Sequence, residues 1–379
     1  MRRKINFADL SAHVQEVFSN LCKDGVTPEE NYEGFKKLTY DLNHNPNEMF
    51  DDEGNKITKR EAESAVRKFV YAIMGLNENS TKRDRNRAMK KHGIELFEVM
   101  EEEIDIKVET GFKESEFFNN YVETRNLSRG DRQEFWTDDK VVLSTTKIAG
   151  DHHDFTLQRL GSGESYTVTT SVYGIAVGAD IDLYLAGRLD WSKFTDQCAA
   201  AFVRQIQNDI YAEMMNAGQK LPAQFQGTGA LSNSTKDKLD ELLENVSLAN
   251  DGAQVVIMGT RTGLQQFQKL MDVDWITDDQ KKDVATMGRL GYYGPYTLVE
   301  IPQRFALNDI TKKLMNPKTL FIMPQVEDKF IKFVDVGETE IYEITDKGDR
   351  MDDTMKYEVQ RSMGVGTQIG RYFGLWILT

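Results

Sequence analysis

The chain has 379 residues, 40% of them hydrophobic and 28% charged, with a formal net charge of −14. That length is enough for two or three domains and a large core, and the composition excludes a disordered chain. The acidic balance argues against a protein that wraps nucleic acid through Lys/Arg contacts to phosphate, although local basic patches are compatible with it.

The N-terminus, "MRRKINFADLSAHVQ", has a basic start but no long apolar run behind it, so it is not read as a signal peptide. Residues 1 to about 125 read as charged helices. Phe7, Leu10, Val14 and Phe18 recur at helical spacing, as do Ala62, Val66, Phe69, Val70 and Ile73. A third helix is expected after a cap at Ser80 or Thr81. These apolar faces are narrow and need a partner surface. The region is expected to stabilise an assembly rather than the fold of one subunit.

From Asp139 the pattern turns extended. "KVVLSTTKIAG", "DFTLQRL" and "SYTVTTSVYGIAVGADIDLYL" read as strands around a "GSGES" turn. Asp180 and Asp182 interrupt the most apolar stretch, so nothing spans a membrane. Residues 139–182 are expected to form a protruding two-stranded ribbon. An arm of about 20 residues reaches about 60 Å, too far for one compact core, and must bury its faces on something else.

The clearest helix follows, from a cap at Asp190 to a stop at Gly218. Phe194, Cys198, Phe202, Ile206, Ile210 and Met214 form its i+4 stripe, on a rod of about 40 Å. "LPAQFQGTGALSNS" reads as a flexible Gly/Ser loop, and "TKDKLDELLENVSLAN" as a short amphipathic helix. From Gly252 the pattern is αβ: a buried strand "AQVVIMG", a helix, then "GRLGYYGPYTLVEIP" at 288–302, and the strands "KTLFIMP", "KFIKFVDVG" and "ETEIYEI".

No residue set points to catalysis, a cofactor or a metal. The glycines at 288, 291 and 294 follow a helix and precede a strand, the reverse of a dinucleotide fingerprint, and no Gly-Lys-Ser/Thr occurs. They read as a helix stop and a corner, with φ > 0 at Gly291 or Gly294 and with Tyr292, Tyr293 and Tyr296 packed around it. His152 and His153 would diverge on a strand and read as a loop tip; His13, His44 and His92 have no partner at i+4. Around Gly54, calcium-loop spacing fails, leaving a turn before a helix near Thr58. Gly227 and Gly229 lack a lysine, and Gly161-Ser162-Gly163 lacks the strand–elbow–helix setting of a hydrolase. Cys22 and Cys198 are unpatterned and suit a reducing compartment.

The order of parts (ribbon, long helix, "GTG" loop, αβ region with "MGRLGYYGPYTLVEIP", closing extended segment) resembles the major capsid proteins of tailed bacteriophages, the Hong Kong 97-type fold. The resemblance covers roughly residues 130–379. It implies an α+β fold with an E-loop ribbon (131–185), a P domain with the spine helix (186–251), an axial A domain (252–345) and a segment returning to the P domain (346–379); the first 125 or so residues do not match a short family N-arm, and 1–130 read as an extended helical arm or accessory helical domain.

The function so implied is a non-enzymatic shell protein that self-assembles through hexamers and pentamers into an icosahedral virion enclosing double-stranded DNA. Assembly is expected in the host cytoplasm, with portal, scaffolding and decoration proteins as further partners and no cofactor. An encapsulin-like compartment, or less readily an enzyme with an unrecognised site, is the alternative.

Overall fold

A computed structural model describes every residue except 1–6, 23–24, 45–48, 50–55, 78, 114–115, 129–130, 132, 138–163, 180–190, 271–277, 307–308, 326–328, 345–354 and 368–371. Helices α1 (Ala12–Asn20), α2 (Pro28–His44), α3 (Lys59–Met74), α4 (Lys82–Lys113) and α5 (Glu116–Tyr121) lead into β1 (Val122–Leu127). Strands β2 (Glu134–Thr137), β3 (Glu164–Thr167) and β4 (Ser171–Ala179) precede the long helix α6 (Trp191–Gln219). Next come β5 (Gln226–Thr228), α7 (Lys236–Ala249), β6 (Val255–Gly259), α8 (Arg261–Leu264) and α9 (Asp278–Met287). The chain closes with β7 (Tyr292–Tyr293), β8 (Tyr296–Glu300), β9 (Phe305–Ala306), β10 (Asp309–Lys313), β11 (Thr319–Pro324), β12 (Ile331–Ile344), β13 (Met355–Thr367) and β14 (Gly374–Ile377). The expected α+β class holds.

Two sheets organise the described residues. One runs β1-β12-β13-β4 and the other β5-β14-β11-β6-β8-β7. In the six-stranded sheet, alternation sends neighbouring side chains to two different cores. Val256, Met258, Phe321, Met323 and Leu375 face the core that contains α6. Val255, Ile257, Leu320, Ile322 and Trp376 face a second core closed by Leu239, Leu242, Leu243 and Val246 of α7. Both faces are covered, so "VVIMG" and "TLFIMP" read as continuous apolar runs rather than alternating ones.

Helix α6 packs against α4 and β13. Its expected stripe is buried at Cys198, Phe202, Ile206, Ile210 and Met214, with Phe194 partly buried beside it. Asp190 lies outside the described residues. Gly218 does not stop the helix, which continues to Gln219.

The N-terminal helices differ from expectation. Val14 and Phe18 of α1, Phe35 of α2, Val66 and Val70 of α3, and Leu96, Ile104 and Val108 of α4 share one core with Phe202 and Ile206 of α6. The narrow faces do require a partner surface, and the same chain supplies it; this region is built into the subunit. α3 starts after Thr58 with a capping box to Glu61, and reciprocal Thr81–Asp84 hydrogen bonds open α4. Within α4 the backbone leaves helical geometry at His92 (φ −124°, ψ 16°).

The expected ribbon is only partly described. β2 and β3 pair antiparallel, Thr137 opposite Glu164, while 138–163 and 180–182 lie outside the described residues. β4 does not continue that ribbon. It docks as an edge strand on β13, from Ser171↔Met363 to Ala179↔Met355. "KFIKFVDVG" and "ETEIYEI", expected as separate strands within the αβ region, are the single strand β12, paired with β1 and β13. The closing segment splits: β13 joins the four-stranded sheet, whereas β14 inserts between β5 and β11.

The glycine corner behaves as expected at two of its three positions. Gly288 (φ 72°) ends α9, and Gly294 (φ 55°) opens the two-residue turn between β7 and β8. Positive φ followed by proline suits a type II′ turn. Tyr293 is buried and donates to Asp240 Oδ1 at 3.1 Å. Tyr292, one position away on the strand, points to solvent.

"QGTGALS" is not a flexible loop throughout. Gln226–Thr228 pairs parallel to β14, and Gly229 O accepts from Trp376 Nε1 at 3.0 Å. A Cβ at Gly227 would stand 2.2 Å from Trp376 Cε3. Gly227→Ala should therefore destabilise the subunit by about 1–3 kcal/mol through overpacking. Urea denaturation checks this, and an unchanged midpoint would mean Trp376 has room to shift.

Candidate functional site

The densest polar chemistry among the described residues is buried where α4 crosses the four-stranded sheet. β12 is irregular between Val336 and Glu340, with Gly337 at φ 76°. Val336 pairs with Ser362 and Glu340 with Gln360, so residues 337–339 face the single residue Arg361 of β13. A bulge of this kind leaves ladder groups unpaired. Glu101 and Asp105, one turn apart on α4, supply the missing acceptors. Asp105 Oδ2 accepts from Thr339 N at 3.3 Å and Oδ1 from Thr339 Oγ1 at 2.5 Å. Glu101 Oε1 accepts from Ile341 N at 2.6 Å.

Arg361, only 3% exposed, completes the cluster. Its Nε donates to Asp335 Oδ1 at 3.0 Å and its Nη2 to Asp335 Oδ2, a forked pair. Its Nη1 donates to Asp105 Oδ1 and, at 3.1 Å, to Thr339 Oγ1. Burial pulls the guanidinium pKa down, and Asp105 and Asp335 more than offset it, so the net shift is upward. Arg361, Asp105, Asp335 and Thr339 are committed to one another, and the cluster holds a helix to a sheet.

Two satellites share that character. Lys107 of α4 donates to Thr195 Oγ1 at 2.7 Å and pairs with Asp196 of α6 at 2.7 Å. Lys332 of β12 pairs with Glu123 of β1, and Arg125 lies 4.6 Å from the Phe135 ring centroid, tying β2 to the sheet. Burial raises the Glu123 pKa, but hydrogen bonds from Lys332 and Arg125 outweigh it and hold the group below its ordinary value.

The residues weighed from sequence do not converge here. His13 and His92 stack at 4.4 Å where α4 breaks, and His13 Nε2 lies 2.9 Å from Ile73 O. Among the described residues, no group of three or more His, Cys, Asp or Glu could hold a metal. His152, His153, Gly54 and Gly161–Gly163 lie outside the described residues. Both cysteines are free thiols, and burial pushes Cys198 up to about 11, against thiolate chemistry. No described helix is long and apolar enough to cross a membrane. Sequence reasoning missed the Arg361 cluster. Its one visible trace is a charge inside an apolar strand, Asp335 in "FVDVG".

Comparison with known proteins places the chain. The profile of a family described as "SPbeta prophage-derived putative capsid protein YonB" matches residues 18–377. No curated protein matches the chain. Among solved structures it is similar to the asymmetric unit of the bacteriophage PhiM1 mature capsid, at 11% identity over 70% of this chain and 87% of that one, TM-score 0.45. It is also similar to the satellite phage P4 procapsid including the size determination (Sid) protein, at 12% identity over 73% and 90%, TM-score 0.44. A virus-like particle from Pyrococcus furiosus matches at 11% identity over 74% and 99%, TM-score 0.40.

Two outcomes are expected from the cluster. Arg361→Met strands Asp105 and Asp335 as buried, uncompensated carboxylates and should cost about 3–5 kcal/mol; a near-neutral effect in chemical denaturation would remove the cluster from the subunit's stability. Glu101 is half-buried, and burial, with Asp105, Glu340 and Glu98 nearby, raises its pKa to about 7 despite the Ile341 hydrogen bond. The folded state therefore holds this proton more tightly than the unfolded state. The associated stability is full below the unfolded pKa and is lost as pH rises toward 7. Relative to wild type, Glu101→Gln should gain stability between pH 5 and pH 8 by about 1–2 kcal/mol, discounted for partial exposure. Parallel melting curves across that range would contradict the shift.

Proposed function

This chain belongs to the YonB family of prophage-derived capsid proteins, and we propose that it closes copies of itself, through hexamers and pentamers, into an icosahedral shell around double-stranded DNA. The observation that carries this reading is the extent of the family match, residues 18–377, which takes in helices α2 to α5 as well as both sheets. Assembly takes place in the host cytoplasm, with portal, scaffolding and decoration proteins as further partners.

The structure supports a subunit completed by its neighbours. β2 and β3 pair only with each other among the described strands, and Trp136 between them is 59% exposed. A two-stranded pair is marginal on its own. The 26 residues 138–163 leave and return at one point, the Thr137–Glu164 pair. In this reading the β2–β3 pair lies against an adjacent subunit. The unit 186–251 forms the spine part and 252–324 the axial part, while β12, β13 and β4 join β1 in the sheet on which α6 packs. A net charge of −14 suits a wall that touches packaged DNA without binding it.

Negative-stain microscopy of the purified full chain tests the proposal. Shells or hexameric and pentameric rings are expected, and a protein that stays monomeric at every concentration would overturn it. Shells filled with protein cargo would favour the encapsulin-like alternative. Replacing 138–163 with an Asn-Gly turn should preserve the unfolding midpoint and abolish shells; normal shells would show the excursion is not an intersubunit element.

A further inference from the structure

We infer that the β9–β10 hairpin is a second contact between copies of this chain, docking on the outer face of α7 of the neighbouring copy. The inference rests on the shell reading above and goes beyond it by naming two surfaces.

The hairpin has a fixed base and an uncovered body. Gln303 clamps the base: its Nε2 donates to Met315 O at 2.6 Å, and its Oε1 accepts from Met315 N at 3.0 Å. Met315 is buried in the core that contains α6, and Leu314 N donates to Arg304 O at 2.8 Å. Beyond this clamp, β9 and β10 pair with each other and with no third described strand. Phe305 is 57% exposed and Ile310 81% exposed. Phe305 stands opposite Lys313, with residues 310–312 bulged out of the pairing, so the hairpin carries two large exposed apolar side chains, anchors of the kind that dominate interfaces. Arg304, Lys312 and Lys313 surround them and are exposed; Lys312 also pairs with Asp309 at 3.5 Å.

A cationic rim on a chain of net charge −14 calls for an acidic, partly apolar counterpart. The outer face of α7 supplies one. Asp237, Glu241, Glu244 and Leu248 are exposed and fall on one helical line, with Leu248 67% exposed. The comparable exposed aliphatic on α4, Ile94, stands instead beyond a basic run that includes Arg87, Lys90 and Lys91. The hairpin and α7 are different patches, so contact between copies is heterologous, the kind that builds a ring when its rotation closes.

Four full-length variants, read by sedimentation velocity and negative stain, test this. Phe305→Ser with Ile310→Ser should lower the assembled fraction about tenfold or more while leaving the unfolding midpoint unchanged, because neither side chain is in a core. Lys312→Glu with Lys313→Glu, and separately Glu241→Lys with Glu244→Lys, should each impair assembly, and the four changes combined should restore it. Wild-type assembly by the serine variant, or a combined variant no better than either reversal alone, would overturn this contact and leave the shell reading standing. A wild type that never assembles would overturn both.

Discussion

The subunit depends on how one buried cation is satisfied. Arg361 sits where α4 crosses the four-stranded sheet, forked onto Asp335 and linked to Asp105 and Thr339. Ions taken out of water are costly unless each hydrogen-bonding group finds a partner. Here the bulge in β12 releases donors, Asp105 and Glu101 accept them, and Arg361 balances the charge that Asp105 and Asp335 bring inside. The three features are coupled. A regular strand would not offer Thr339 N to Asp105, and without Asp105 the arginine would face the bulge half-paired.

The same cluster explains why the N-terminal region belongs to the subunit. α4 brings Glu101, Asp105 and Lys107 to the sheet and to α6, and its apolar positions Leu96, Ile104 and Val108 enter the core with Phe202 and Ile206. β1 follows α5 directly and adds a parallel strand beside β12. Apolar burial provides the driving force and has little direction. The charged contacts give the direction, fixing one register between helix and sheet. The family match from residue 18 onward accords with this packing.

A capsid subunit must be rigid inside and incomplete outside. The six-stranded sheet meets the first requirement by burying alternate side chains in two cores, so its strands cannot shift register by one residue without exchanging cores. The second requirement shows in short antiparallel pairs with exposed apolar residues, Trp136 on β2, Phe305 on β9 and Ile310 on β10. In the proposed shell, such elements find their burial in the next copy.

The sequence by itself determined the elements whose signal is local. The α6 stripe from Phe194 to Met214, the helix start near Thr58, the buried strands "VVIMG" and "TLFIMP", and the turn at Gly294 all follow from periodicity or from a single residue's backbone preference. The order of those elements also carried the capsid resemblance. Tertiary structure alone decided which surfaces meet. β4 reads as ribbon but docks on β13, β12 reads as two strands because its bulge interrupts the alternation, and β14 reads as part of a returning segment but inserts between β5 and β11. Gly227 looks like loop glycine until Trp376 occupies the space of its missing side chain. Asp105, Asp335 and Arg361 are up to 256 positions apart, and pairing at that separation leaves no period in the sequence, because it is set by the packing of α4 on the sheet and not by neighbours along the chain.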